Sequence, residues 1–285
     1  MRCPVCDAAM SPDIEPRTLR CPDCGHYGST FEVAINENAV ILDEDRRAEA
    51  LAPIRHANVA SMLDQLAAIA EFPTSANALE VGCAHGWFLD AIKSRGHHGV
   101  GIEPDSHIAS IARASGHEVL AGYFPAALAP DAEFDVVFFN DVFEHLADVK
   151  EIVGELRRHT VAGGWVVVNT PVSDGTIFRA ACFMARLGVR GPYRRMWQEG
   201  LPSPHLSYFS SDNLVRLFAG RGFRLCTTGT LLSITAAGLM ARIRFDRRMN
   251  PIGAYAYCAA ALAAVPVLPL LPADIRFFAF RKQEA

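Results

Sequence analysis

The chain has 285 residues, 51% of them hydrophobic and 20% charged, which is enough for one large α/β domain with a small appendage. A formal charge of −4 argues against a general nucleic-acid binder while leaving local basic patches open. No secretory signal is visible, because Cys3 and Cys6 stand where an apolar segment would have to begin, and the expected location is the cytoplasm.

In chain order, the first thirty residues are rich in Pro, Cys and Gly and too poor in apolar side chains to build a core. "CPVC" and "CPDCG" set Cys3, Cys6, Cys21 and Cys24 in two CxxC turns separated by fourteen residues. Each turn lets two thiolates reach one ion, and two turns complete a tetrahedron, so the expected ligand is zinc. With four protein ligands such a site is structural. A redox pair or two disulfides are the competing readings, but a redox CxxC opens a helix in a βαβ unit and neither pair does. Cys83, Cys182, Cys226 and Cys258 read as small buried hydrophobes.

From Asp43 to the residue before Pro73 apolar positions recur three and four apart, a helical pattern. Strands and helices then alternate: "ALEV", "WFLDAIKSRG", "HGVGIE", "SHIASIARASG", "HEVLAG", "FDVVFFN", "DVKEIVGELRRHT" and "GGWVVVNT". This alternation calls for a parallel sheet covered on both faces, with "FDVVFFN" and "WVVVN" as central strands. The expected domains are a ribbon over 1–36, a helical linker over 37–73 and an α/β domain over 74–285, with insertions at 172–204 and 230–273.

The first strand runs into Glu80, Gly82, Ala84 and Gly86. The spacing fails the dinucleotide fingerprint, and a carboxylate ahead of the first glycine repels a pyrophosphate while suiting a ligand that carries an ammonium group. Glu103 ends the next strand, twenty-one residues after Gly82, where an acid can accept both ribose hydroxyls of a nucleoside.

With its E-x-G-x-A-x-G turn, the chain resembles the class I S-adenosylmethionine-dependent methyltransferases, Ala84 replacing their central glycine. "EFDVVFFNDVFEHL" is similar to the fourth-strand segment of the ubiquinone-type and sugar-type members. The resemblance implies a Rossmann-like seven-stranded sheet whose last strand, "IRFFAFRK", is antiparallel. It implies that Glu80, Gly82, Ala84 and Gly86 cradle the methionine moiety, that Glu103 holds the ribose and that Asn140 faces the methionine part. Tyr123 and Phe124 either flank the adenine or simply pack. His145, and His205 in "PSPHLSYFSS", border the acceptor and are the candidate bases; a structural role for His145 is the alternative. Asp141, Glu144 and His145 repeat a set associated with a divalent ion in ubiquinone-type members, although a capped helix start accounts for the acids equally well. The cysteine segment resembles the zinc ribbons ahead of some bacterial methyltransferase domains. The implied activity is methylation of oxygen on a small or lipid-linked metabolite such as a sugar, quinone or polyketide precursor. The alternatives are a non-catalytic binding module and a protein or RNA methyltransferase.

The 172–204 insertion carries Arg179, Arg186, Arg190, Arg194 and Arg195, with no acid between Asp174 and Glu199. A helix follows, with Ser211 or Asp212 as its expected cap. Residues 249–273 hold no charged side chain and follow Arg242, Arg244, Arg247 and Arg248. A full membrane span there would strand "IRFFAFRK" across the bilayer from its sheet, so the expectation is a membrane-touching element, a lid or a dimer contact.

Overall fold

A computed structural model of the chain describes residues 1–35, 44–244 and 251–284. Its elements in order are β1 (Ser11–Pro12), β2 (Thr18–Arg20), β3 (Tyr27–Ser29), α1 (Glu44–Ala67), β4 (Asn77–Val81), α2 (Trp87–Lys93) and β5 (His98–Glu103). There follow α3 (Ser106–Ala114), β6 (Glu118–Ala121), β7 (Phe134–Asn140), α4 (Val149–His159), β8 (Thr160–Pro171), α5 (Thr176–Arg186) and α6 (Gly191–Met196). The chain closes with β9 (Ser207–Tyr208), α7 (Ser211–Ala219), β10 (Phe223–Leu231), α8 (Leu239–Arg244), α9 (Pro251–Ala264) and β11 (Ile275–Lys282).

The main sheet has seven strands in the order β10-β11-β8-β7-β4-β5-β6. Strands β8, β7, β4, β5 and β6 are mutually parallel, and β11 runs antiparallel between β8 and β10. The expected fold class is therefore the observed one. The pleat explains why the central runs are apolar throughout. Val137 and Phe139 of β7 face one core with Val166, Val168, Phe278 and Phe280, while Val136 and Phe138 face the other with Trp165, Val167 and Phe277. Helices α4 and α7 cover the first face through Val153, Leu156, Leu214 and Leu217; α1, α2 and α3 cover the second through Leu63, Leu89 and Ala109. Each large side chain so withdrawn from water contributes about 1.5–3 kcal/mol.

β4 sits where successive connections diverge, to β5 on one side and to β7 on the other. In parallel sheets that switch point opens a crevice beyond the carboxyl ends of the strands.

The cysteine-bearing segment makes its own sheet, β1-β2-β3-β9, whose fourth strand comes from far along the chain: Tyr27 pairs with Tyr208 and Gly28 with Ser207. The boundary at residue 36 thus separates the segment in sequence, not in space. An aromatic cluster of Phe178, Tyr193, Trp197 and Tyr208, joined by Tyr27 and Phe31, seals the seam. The insertion at 172–204 supplies α5 and α6 to this cluster. Its arginines do not form a free basic face as a set. Arg186 lies 3.8 Å from Asp13, and both Arg190 (3.8 Å) and Arg194 (3.0 Å) pair with Glu15, so three of the five lean on the N-terminal segment.

Two smaller expectations need correction. Helix α7 is capped by Ser210, whose hydroxyl accepts the Asn213 N–H at 3.2 Å, because its backbone is extended there and that of Ser211 is already helical. Cys226 is only half buried, since β10 is an edge strand. Of the basic run, Arg247 and Arg248 lie outside the described residues, as do the side chains of Arg242 and Arg244.

Candidate functional site

The crevice beyond β4 is floored by the turn after Val81. Gly82 (φ +75°) and Gly86 (φ +84°) occupy the left-handed region, and a Cβ on Gly82 would stand 2.5 Å from Val142 Cγ2. Ala84 also has positive φ, 45°, which a side chain tolerates at a cost of about 1–2 kcal/mol. Its conformation is held by an N–H bond to Glu103 Oε2 at 2.9 Å, while Glu103 Oε1 accepts the Asp105 N–H at 2.9 Å. Glu103 thereby ties the turn to the end of β5. His85 is half buried and stacks on Trp87, with ring centroids 5.7 Å apart, and His56 of α1 meets that indole in a T-shaped pair at 5.5 Å. The side chain at position 85 thus belongs to an aromatic cover.

Glu80 is 2% exposed, and its Oε2 has no hydrogen-bond partner among the described residues. Burial pushes its carboxyl well above the ordinary carboxylate range, and the charge on Glu103 adds to the shift. The opposing influence is the positive charge of Arg55, which also bears on Glu144. Sequence reasoning passed over Arg55; a single basic residue on a half-buried linker helix offers no pattern to notice.

Tyr123 is exposed, whereas Phe124 is buried in the first core against Phe139. At the ends of β7 and β8, Asn169 Nδ2 donates to Asn140 Oδ1 at 2.7 Å and to Asp141 Oδ1 at 3.1 Å.

Beyond them, a 3-10 turn over Phe143–His145 and the segment before β9 bring Glu144, His145 and His205 together, with one ligand atom from each lying within 4.8 Å of the others. This group replaces the expected trio: Asp141, with φ +56°, is outside it, and His205 takes its place. Each member is held from behind. Thr170 donates its hydroxyl to Glu144 Oε2 at 3.1 Å, and His145 Nδ1 donates to the Pro204 carbonyl at 2.9 Å. Tyr208 gives its hydroxyl proton to the Met196 carbonyl at 2.7 Å, so it must accept at 2.8 Å from His205 Nδ1. That fixes His205 Nε2 as the lone-pair nitrogen, which takes a Gln198 amide N–H at 2.8 Å. Burial, with the nearby charge of Asp141, pushes the Glu144 carboxyl up to about 8. Two imidazoles and a carboxylate so anchored fit a divalent cation.

The four cysteines also converge. Cys3 and Cys24 Sγ lie 3.5 Å apart, Cys6 and Cys21 Sγ 3.4 Å apart, and all four fall within 4.8 Å of one another. Burial raises the Cys24 thiol to about 11; at Cys21 burial acts the same way but is outweighed by the N–H groups of Cys24 and Asp23, which help bring it to about 7. Four sulfurs at this spacing, with amide groups turned towards them, fit a tetrahedral zinc ion.

A cavity of about 660 Å³, lined by Lys93, His97, His98 and His117, opens at the amino-terminal edge of the sheet, and His117 also borders Gly86.

Residues 47–228 match the family model described as a methyltransferase domain. A methyltransferase of unassigned activity from Mycobacterium sp. strain JLS is 34% identical over 103 residues, which cover 35% of this chain and 40% of that protein. The C-methyltransferase NovU of Streptomyces niveus is 24% identical over 157 residues, covering 53% of this chain and 34% of NovU. The matched part thus spans about two-fifths of the length of the first of these relatives. Among solved structures, the complex between the Haloferax volcanii Trm112 methyltransferase activator and a methyltransferase superposes with a TM-score of 0.59. That match has 15% identity and covers 89% of this chain and all of the other.

Proposed function

Given that the chain belongs to the methyltransferase-domain family, we propose that it transfers a methyl group from S-adenosylmethionine to a small-molecule acceptor. The observation that carries the reading is Glu80, a fully buried carboxyl with an unpartnered oxygen beside a left-handed glycine turn. A cationic amino-acid moiety supplies the counter-charge that such a group lacks. In this reading the backbone at Gly82, Ala84 and Gly86 receives the methionine part, and Asn140 faces it. Glu103 receives the ribose: a carboxylate oxygen has two lone pairs, so one that binds a backbone N–H can also accept a hydroxyl.

When bound, the cofactor presents a methyl group on a positive sulfur, which an acceptor lone pair displaces while the C–S electron pair stays on sulfur. The chain must align the two and take up the acceptor's proton. We assign the proton to His145 or His205. Glu144, His145 and His205 are also the residues that would hold a divalent ion, whose chemistry here would be to orient an acceptor oxygen. Cys3, Cys6, Cys21 and Cys24 would hold structural zinc.

Titration calorimetry with S-adenosylmethionine tests the reading. Micromolar binding that weakens at least ten-fold in Glu103→Ala is the expected result. No binding at millimolar cofactor overturns it and leaves a non-catalytic binding module.

The finer reading, a lipid-linked acceptor met at a membrane surface, draws on α9. Its buried residues Ala254, Cys258 and Ala261 pack with Leu239 and Ile243 of α8. Tyr255, Tyr257 and Leu262 remain exposed, followed by Val267, Leu270 and Leu271. Among the described residues no helix is long and apolar enough to cross a membrane, so contact would be interfacial. Co-flotation with anionic liposomes is expected; a protein that stays wholly at the bottom of the gradient removes this reading.

A further inference from the structure

The N-terminal segment reaches the acceptor side directly. Ser29 N–H donates to the Leu206 carbonyl at 2.9 Å, and Leu206 N–H donates to the Glu144 carbonyl at 2.8 Å. Leu206, the residue after His205, is therefore clamped through its own N–H and C=O between β3 and the 3-10 turn that carries Glu144 and His145. Ser29 Oγ donates to the His205 carbonyl at 3.0 Å, in a buried bond across 176 residues. Ala34 N–H reaches the Pro202 carbonyl at 2.8 Å, and the Tyr193 hydroxyl donates to Thr18 Oγ1 at 3.0 Å. By contrast, the turn at Gly82–Gly86 is bonded to β5, the N–H groups of Gly82 and Cys83 to the Ile102 carbonyl and that of Ala84 to Glu103.

A segment of about 35 residues with three short strands cannot order itself by hydrophobic burial alone, and a four-thiolate metal site supplies what is missing. We infer that the four-cysteine unit is a positioning element for the acceptor side: a metal held by Cys3, Cys6, Cys21 and Cys24 fixes β3, and β3, through Ser29, fixes His205 and the peptide that joins it to Glu144. Ser29 is thus a positioning residue. The inference takes from the functional reading only that His205 faces the acceptor. It separates two properties of one chain: metal occupancy governs the acceptor half, and the cofactor half forms without it.

Hydrogen-exchange mass spectrometry on the full chain tests this, before and after removal of bound zinc with a chelator and again after zinc is restored. Zinc release is followed with a colorimetric chelator, and cofactor affinity is measured calorimetrically on the same samples. The expected outcome is about one zinc per chain and at least ten-fold faster exchange over residues 203–210 without it. Exchange over 77–92 and cofactor affinity should stay within two-fold, and zinc should reverse the change. Ser29→Ala should keep its zinc and still speed exchange over 203–210, with Ser29→Thr restoring protection. Absence of zinc, unchanged exchange over 203–210, or equal loss of protection over 77–92 overturns the inference. Failure of the cofactor to bind zinc-loaded protein counts against the functional reading alone.

Discussion

The two halves of the proposed site are built on opposite plans. The cofactor half is local: Glu80, Gly82, Ala84 and Gly86 are near neighbours in sequence, and Glu103 joins them across one strand pair. The acceptor half is assembled over distance, His145 resting on Pro204 59 residues away and His205 on Ser29 176 residues away. A local site depends on backbone conformation and fails when a single φ is forbidden. A distributed site depends on several packed seams and should degrade by degrees.

The largest effect that sharpens this contrast is expected at Gly82. An alanine there would carry a Cβ 2.5 Å from Val142 Cγ2 at φ +75°. Gly82→Ala should weaken S-adenosylmethionine binding more than ten-fold by calorimetry and lower stability by about 1–2 kcal/mol in a denaturant melt. An affinity within two-fold of the parent would break the comparison, since the cofactor half would then not hang on the turn's backbone.

A middle-sized effect belongs to Glu144. Its folded carboxyl titrates near 8 against 4.5 for the unreacted group, so the folded chain binds more protons than the unfolded one between those values. Stability from this group is complete below about pH 4.5 and is lost as pH rises through about 8. In metal-free protein, Glu144→Gln should flatten the fall of melting temperature between pH 5 and 8. An unchanged slope would assign that fall to other groups.

The smallest effect is expected from Arg55, whose charge reaches both halves. Arg55→Met removes an influence that lowers both carboxyls, and cofactor affinity should fall about two- to three-fold. A loss above ten-fold would make Arg55 a direct ligand contact and blur the division into halves.

The same division explains what could be read from the sequence. The sheet was legible because runs such as "FDVVFFN" must be apolar on both faces, and the turn because glycines mark positive φ. The two CxxC turns were legible because their spacing is itself the geometry that brings the four sulfurs together. His205 was found as a candidate, but its partnership with Glu144 was not, since it depends on where β9 docks. A two-residue strand such as Ser207–Tyr208 carries no periodic signal, and neither does Arg55. The arginines of 172–204 read as a run without acidic partners because those partners, Asp13 and Glu15, lie more than 150 residues away.

The pairing of β3 with β9 also has a consequence in time. Some 180 residues separate Ser29 from Tyr208, and a ribosome adding about 5–20 residues per second needs roughly ten to forty seconds to make them. Throughout that interval the cysteine unit exists without the strand that completes its sheet, its aromatic seam uncovered. The four cysteines lie within the first two dozen residues, so a metal bound by them, as proposed above, would be taken up long before the acceptor side is made. In that order of synthesis the proposed metal site would be the template against which the later segment closes.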